Sequence, residues 1–172
     1  MRTAIVLASV VADPESVAET ADRLHGEMDT VVVCRDGQRL DISDAADSDH
    51  RIVVDPVPDG GPVAAMRAGF RAARTRTAFV TTPGTPQLER EALPTLSPGV
   101  GTDATLAHIE GSERPPCGGY VVEPAREACD TTLAMGSRRV SDVLARLTTT
   151  SGTVETAPRV TAAAGAAAAS TN

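Results

Sequence analysis

Short apolar runs alternate along this chain with segments whose apolar positions recur at helical spacing, the pattern of β-α units. Thr3 to Ala8 predicts a short buried strand. Asp13 and Pro14 suit an N-cap and a first helical turn, and Val17, Ala18, Ala21 and Leu24 form one stripe ending before Gly26. The β-branched run Thr30 to Cys34 predicts a second strand, and Arg51 to Asp55 a third, with an acidic surface loop between Asp36 and His50. After the turn-rich Pro56 to Pro62, the spacing of Ala65, Met66, Gly69, Phe70 and Ala73 predicts a helix from Val63. Ala78 to Thr82 predicts a fourth strand, broken by Pro83-Gly84-Thr85-Pro86, and Leu88 to Leu96 a helix.

Ala104 to Ile109 and Gly119 to Glu123 read as two strands joined by a Gly/Pro-rich loop, a hairpin rather than another crossover. Helices are predicted from Pro124 to about Leu133 and from Val140 to Leu147, with a last short strand from Thr153 to Ala157. Residues 1–157 are thus expected to form a single domain and residues 158–172 an Ala-rich tail, helical by propensity but without apolar anchors. This order predicts a three-layer α/β/α sandwich around a mostly parallel sheet with a C-terminal hairpin. Ligands of such sheets sit beyond the carboxyl ends of the strands. Here those ends are Ala8-Ser9, Cys34-Arg35, Asp55 with its turn, and Thr82 to Pro86.

Composition narrows the chemistry. The 172 residues carry 16 basic side chains, all Arg, against 23 acidic ones, a formal charge of −7. Without a basic tract, non-specific binding of nucleic acid is not expected. Without Lys, neither a Schiff base nor a lysine phosphate clamp is available. The Arg-only, acid-rich, aromatic-poor balance resembles that of proteins from high-salt cells. No apolar run reaches membrane-spanning length and no signal-peptide layout opens the chain, so a cytoplasmic location is expected. Cys34, Cys117 and Cys129 are too far apart for a zinc site, and Cys117, in Pro-Pro-Cys-Gly-Gly, is the one to test for reactivity. His25, His50 and His108 show no metal spacing, and Asp41, Asp44, Asp47 and Asp49 read as a solvated acidic face.

Several segments then match a known family in order and spacing: Ala4-Ile5-Val6-Leu7-Ala8, Val53-Val54-Asp55, Gly61-Pro62-Val63-Ala64-Ala65-Met66, Ala78 to Pro86, Gly118-Gly119-Tyr120-Val121-Val122 and Gly136-Ser137-Arg138-Arg139-Val140. From Thr3 to about Ala157 the chain resembles the molybdenum cofactor guanylyltransferases of the nucleotidyltransferase superfamily, which have a Rossmann-like fold. The resemblance implies GTP, magnesium and molybdopterin as family ligands. It also implies nucleotide-binding positions at Leu7, Ala8, Ser9, Asp55 and Gly61, and acceptor-binding positions at Arg138 and Arg139.

Each of these has a plainer reading. Asp55 also suits a turn ahead of Pro56, Gly61-Pro62 a simple helix start, and the Arg pair a set of surface ion pairs. The segment Glu113 to Gly119 either borders the acceptor cleft or merely connects a hairpin.

The departures from the family pattern bear most on function. Its glycine-rich phosphate loop and Lys give way to Ser9-Val10-Val11-Ala12-Asp13-Pro14, and β-branched residues do not replace glycine in a phosphate-wrapping turn. Its metal-binding Asp is matched by Gly84, and its Asn-x-Asn-Thr-Pro segment by Val160 to Ala164. The leading expectation is therefore a catalytically degenerate relative, with no catalytic or metal residue assigned. It would bind a nucleotide, a molybdopterin-type ligand or a protein partner of cofactor assembly. An active transferase, with Asp55 holding magnesium and Arg35 or Arg67 in place of Lys, is the second expectation. A pure interaction module with a collapsed cleft is the third.

Overall fold

The computed structural model describes residues 2–10, 13–24, 28–38, 50–57, 59–83, 93–109 and 112–154. Seven strands form one sheet: β1 (Arg2–Leu7), β2 (Met28–Arg35), β3 (Arg51–Asp55), β4 (Thr77–Thr81), β5 (Ala104–Ile109), β6 (Ser112–Val121) and β7 (Thr149–Val154). Their spatial order is β3-β2-β1-β4-β6-β5-β7. The first four strands run parallel, β6 is antiparallel to both β4 and β5, and β7 returns parallel to β5. This is a Rossmann-like α/β fold with a mostly parallel mixed sheet.

Strand β1 lies inside the sheet between β2 and β4, and both its faces are apolar, as a doubly covered parallel strand requires. Ala4 and Val6 meet Val17, Ala21 and Leu24 of α1 (Pro14–Leu24), while Ile5 and Leu7 face Val63, Met66 and Phe70 of α2 (Gly61–Ala72). The second face is completed by α3 (Val122–Ala134) and α4 (Val140–Leu144). Close approach of α2 to β1 depends on Gly69, where a Cβ would lie 2.3 Å from Ile5 Cγ2. Phe70 and Tyr120 pack with ring centroids 5.5 Å apart, and the Tyr120 hydroxyl donates to the Pro116 carbonyl at 2.7 Å.

Most predicted elements stand where local periodicity puts them, and several boundaries differ. The expected loop from Glu113 to Gly119 belongs to β6. Its ladder with β5 pairs His108 with Glu113 and then Leu106 with Gly118, because the prolines between them offer no N–H and bulge out of register. Glu123 opens α3 rather than ending a strand, and α4 stops at Leu144. The last strand begins earlier, at Thr149, drawn into register by β5. Leu93 to Leu96 form turns rather than helix. Residues 84–92, the 41–49 acidic segment, His25 and 155–172 lie outside the described residues.

Candidate functional site

Strand β1 does not run into an open loop. Its last carbonyls enter a 3-10 turn at Ala8–Val10, and α1 follows, capped by Asp13, whose carboxylate accepts the Glu15 and Ser16 N–H groups at 3.3 Å. The turn is held from the neighbouring strand. Immediately after β2, the Arg35-Asp36-Gly37-Gln38 turn folds back, with Gly37 at φ 73°, and the Gln38 Oε1 accepts the Arg35 N–H at 3.0 Å. Arg35 Nε then donates to the Ser9 carbonyl at 2.7 Å, and Gln38 Nε2 donates to the Ala8 carbonyl at 3.0 Å.

On the other side, β3 ends at Asp55, whose Oδ1 accepts the Val57 N–H at 3.0 Å. The chain next turns through Asp59 at φ 57° and Gly61 at φ 64°, so that Gly61-Pro62 opens α2. The left-handed backbone at Gly61 suits glycine, and Pro62 supplies a φ already fitted to a first turn.

These three strand ends and the start of α2 enclose a cleft of about 650 Å³ lined by Ser9, Arg35, Asp36, Val54, Asp55 and Asp59 to Pro62, among others. Of the expected nucleotide-binding positions, Ser9, Asp55 and Gly61 therefore share one cavity. Leu7 and Ala8 lie beneath it, fully buried, and only the Ala8 carbonyl turns toward Gln38. The end of β4 does not line this cleft; the Thr82 hydroxyl instead lies 3.8 Å from Cys117 Sγ. Gly84 lies outside the described residues.

A second cavity of about 360 Å³ adjoins the first and shares Val57 with it. Arg138, Arg67 and Asp130 line it. Arg138 lies behind Gly61, with Cβ 3.8 Å from the position a Gly61 Cβ would take. Arg139 lines neither cavity, and its N–H donates to Ser137 Oγ at the start of α4. Arg67, expected as a stand-in for Lys, is committed to Asp130, which also takes Arg71 at 3.2 Å and Arg126 at 3.1 Å. It ties α2 to α3 and does not reach the β-end cleft.

Among the described residues no group of three or more His, Cys, Asp or Glu side chains is placed to hold a metal ion. Asp55, with one oxygen already hydrogen-bonded, does not by itself fit magnesium. All three cysteines are buried and none is in a disulfide; burial pushes the Cys34 thiol upward and the Cys129 thiol up to about 12. No helix among the described residues is long and apolar enough to cross a membrane.

Gln38, Asp36 and Asp59 gave no chemical signal in the sequence. The Arg-Asp-Gly-Gln turn at a strand end was the available clue, but its hydrogen bonds to Ala8 and Ser9 arise only from the parallel pairing of β1 with β2.

Comparison with known proteins agrees with this geometry. The crystal structure of a protein from Aquifex aeolicus VF5 superposes with a TM-score of 0.73 at 13% identity, covering 90% of this chain and 88% of that one. That of molybdopterin-guanine dinucleotide biosynthesis protein A from Archaeoglobus fulgidus gives 0.65 at 20% identity, covering 90% and 84%. Both likenesses concern the fold. In sequence, the chain is 31% identical over 140 residues to the "Probable molybdenum cofactor guanylyltransferase" of Natronomonas pharaonis, spanning 80% of this chain and 69% of that protein. The family model of the MobA-like NTP transferase domain matches residues 9–156, and the chain belongs to that family.

Proposed function

We propose that this MobA-like chain has kept the ligand cleft of its fold and lost nucleotidyl transfer. It acts as a binding protein for a guanine nucleotide or a molybdopterin-type ligand, and for partners, in assembly of the molybdenum cofactor. One observation carries this reading. The turn after β1, where a phosphate loop would aim its N–H groups at a ligand, has its Ala8 and Ser9 carbonyls pinned by Gln38 and Arg35. That turn has no glycine, and the chain has no Lys to neutralise a triphosphate. The cleft beside it is nevertheless open, which speaks against an interaction module with a collapsed site. Arg138, in the adjoining cavity, is the side chain suited to an acceptor phosphate.

The second reading, an active magnesium-dependent transferase, is favoured by the presence of Arg35 and Asp55 in the same cleft. It requires that Asp55→Ala abolish magnesium-dependent GTP binding.

Amide hydrogen exchange tests the binding role. A guanine nucleotide is expected to slow exchange at residues 8–10, 35–38 and 55–61, and molybdopterin at 136–139. Unchanged exchange in both segments at saturating ligand contradicts it.

A further inference from the structure

The two edges of the sheet differ in character. On β7 the exposed residues Thr149, Thr150, Ser151 and Thr153 are all polar, and only Gly152 and Val154 are buried. At the other edge β3 reads Arg-Ile-Val-Val-Asp, and among the described residues no strand pairs with its outer side. Edge strands are ordinarily blunted by a proline, a bulge or a central charge. Strand β3 has none of these: its middle residues are apolar, and its register with β2 is unbroken.

Its two faces are also unlike. Arg51 and Val53 turn toward α2, where Arg51 donates to the Ala72 carbonyl and Val53 packs on the core. Ile52 and Val54 turn the other way, in register with Val32 and Cys34 of β2, and are 53% and 49% exposed. Helix α1 packs on β1 and β2 on that side, and no β3 residue joins the core beneath it. Two large apolar side chains thus stand in water beside an unpaired strand edge.

The strand is complementary to itself. Antiparallel pairing of two copies about a two-fold axis through Val53 sets Arg51 opposite the partner's Asp55 and Ile52 opposite the partner's Val54. Directly opposite residues share a face, so the four exposed side chains form one apolar cluster with opposite charges at both ends. Three of the five Arg51 N–H groups are used within its own chain, which leaves two for the partner's carboxylate. The pleat allows the pairing to slip only by two residues, and either slip loses both charge pairs. We propose that β3 joins two copies of this chain into a symmetric dimer with one continuous sheet, whatever ligand the cleft takes. The isologous contact closes on itself, so no filament grows from it. A five-residue edge spans only about 17 Å, less than a permanent interface needs, so a reversible dimer with a dissociation constant on the order of 10 to 100 μM is expected.

Sedimentation equilibrium of the full chain, from about 1 μM to about 1 mM, tests the proposal. The parent is expected to show a monomer–dimer equilibrium with no larger species. Ile52→Glu and Val54→Arg are each expected to raise the dissociation constant on the order of tenfold or more, because each buries a charge against an apolar side chain. Both positions are half-exposed in the monomer, so the far-UV circular dichroism of each variant is expected to match the parent's. An equimolar mixture of the two variants is expected to regain the dimer, since the introduced carboxylate and guanidinium then stand opposite each other. A parent that stays monomeric throughout overturns the proposal and leaves the β3 edge to another occupant. A dimer that both substitutions leave intact, or a mixture that associates no more tightly than either variant alone, overturns it as well.

Discussion

Arg35 Nε lies 2.7 Å from the Ser9 carbonyl, joining the turn after β2 to the turn after β1. With Gln38 on the Ala8 carbonyl, this link holds the turn after β1 against the turn after β2. Ser9 and Asp55 both line the cleft beside it. Arg35→Ala and Gln38→Ala are each expected to cost about 1 kcal/mol, because each leaves a carbonyl at the end of β1 without its partner. The urea midpoint measures this, and faster amide exchange confined to residues 8–10 locates it. Unaltered exchange there contradicts the pinning.

In the cleft wall, Gly61 holds φ 64°, and among the described residues no atom outside its chain neighbours and the backbone of its own helix comes closer than 3.8 Å to the point its Cβ would occupy, so its requirement is conformational rather than steric. Gly61→Ala is expected to destabilise the protein by about 1–2 kcal/mol, and Gly61→Asn by less. Equal losses in thermal unfolding would point to crowding instead.

The opposite end of the sheet carries a separate tie. Arg51 Nε and Nη2 grip the Asp29 carboxylate, with the Nε contact at 3.0 Å, while Nη1 donates to the Ala72 carbonyl at 2.8 Å. These bonds join β2, β3 and the end of α2. Asp29→Ala is expected to cost about 1–3 kcal/mol and to leave ligand affinity unchanged, since the site lies at the other end of the strands. Calorimetric unfolding and ligand titration of the same variant check both halves.

Burial on the inner face of α3 raises the Cys129 thiol to about 12, above its ordinary value near 9. The folded chain therefore holds a proton that the unfolded chain releases. The corresponding stability is fully present below pH 9 and is lost as pH rises toward 12, at no more than about 1.4 kcal/mol per pH unit. The denaturant midpoint is expected to fall across that window, and Cys129→Ala to flatten part of the slope. A variant with the same slope as the parent contradicts this assignment.

Legibility in the sequence followed the range of the interactions. Strands β1 to β4 and α2 are written locally, as β-branched runs or as apolar spacing with a Gly-Pro start, and their ends named Ser9, Asp55 and Gly61 as cleft residues. Strand β7 is different: Thr149 to Val154 buries only Gly152 and Val154, and pairing with β5 decides where it begins. Strand β6 carries prolines that read as a loop, yet β4 and β5 hold it on both sides. The Arg35–Ser9 bond spans 26 residues and exists only once β1 and β2 lie side by side. The role expected for Arg67 failed for the same reason, since Asp130, which claims it, is 63 residues away.

On the proposed function, the protein binds its ligand but does not transfer a nucleotidyl group. Incubation with GTP, magnesium and molybdopterin, followed by measurement of pyrophosphate release and of the guanine dinucleotide product, tests this most directly. Neither product is expected above the protein-free control. Sustained turnover of both, lost in Asp55→Ala, would contradict it.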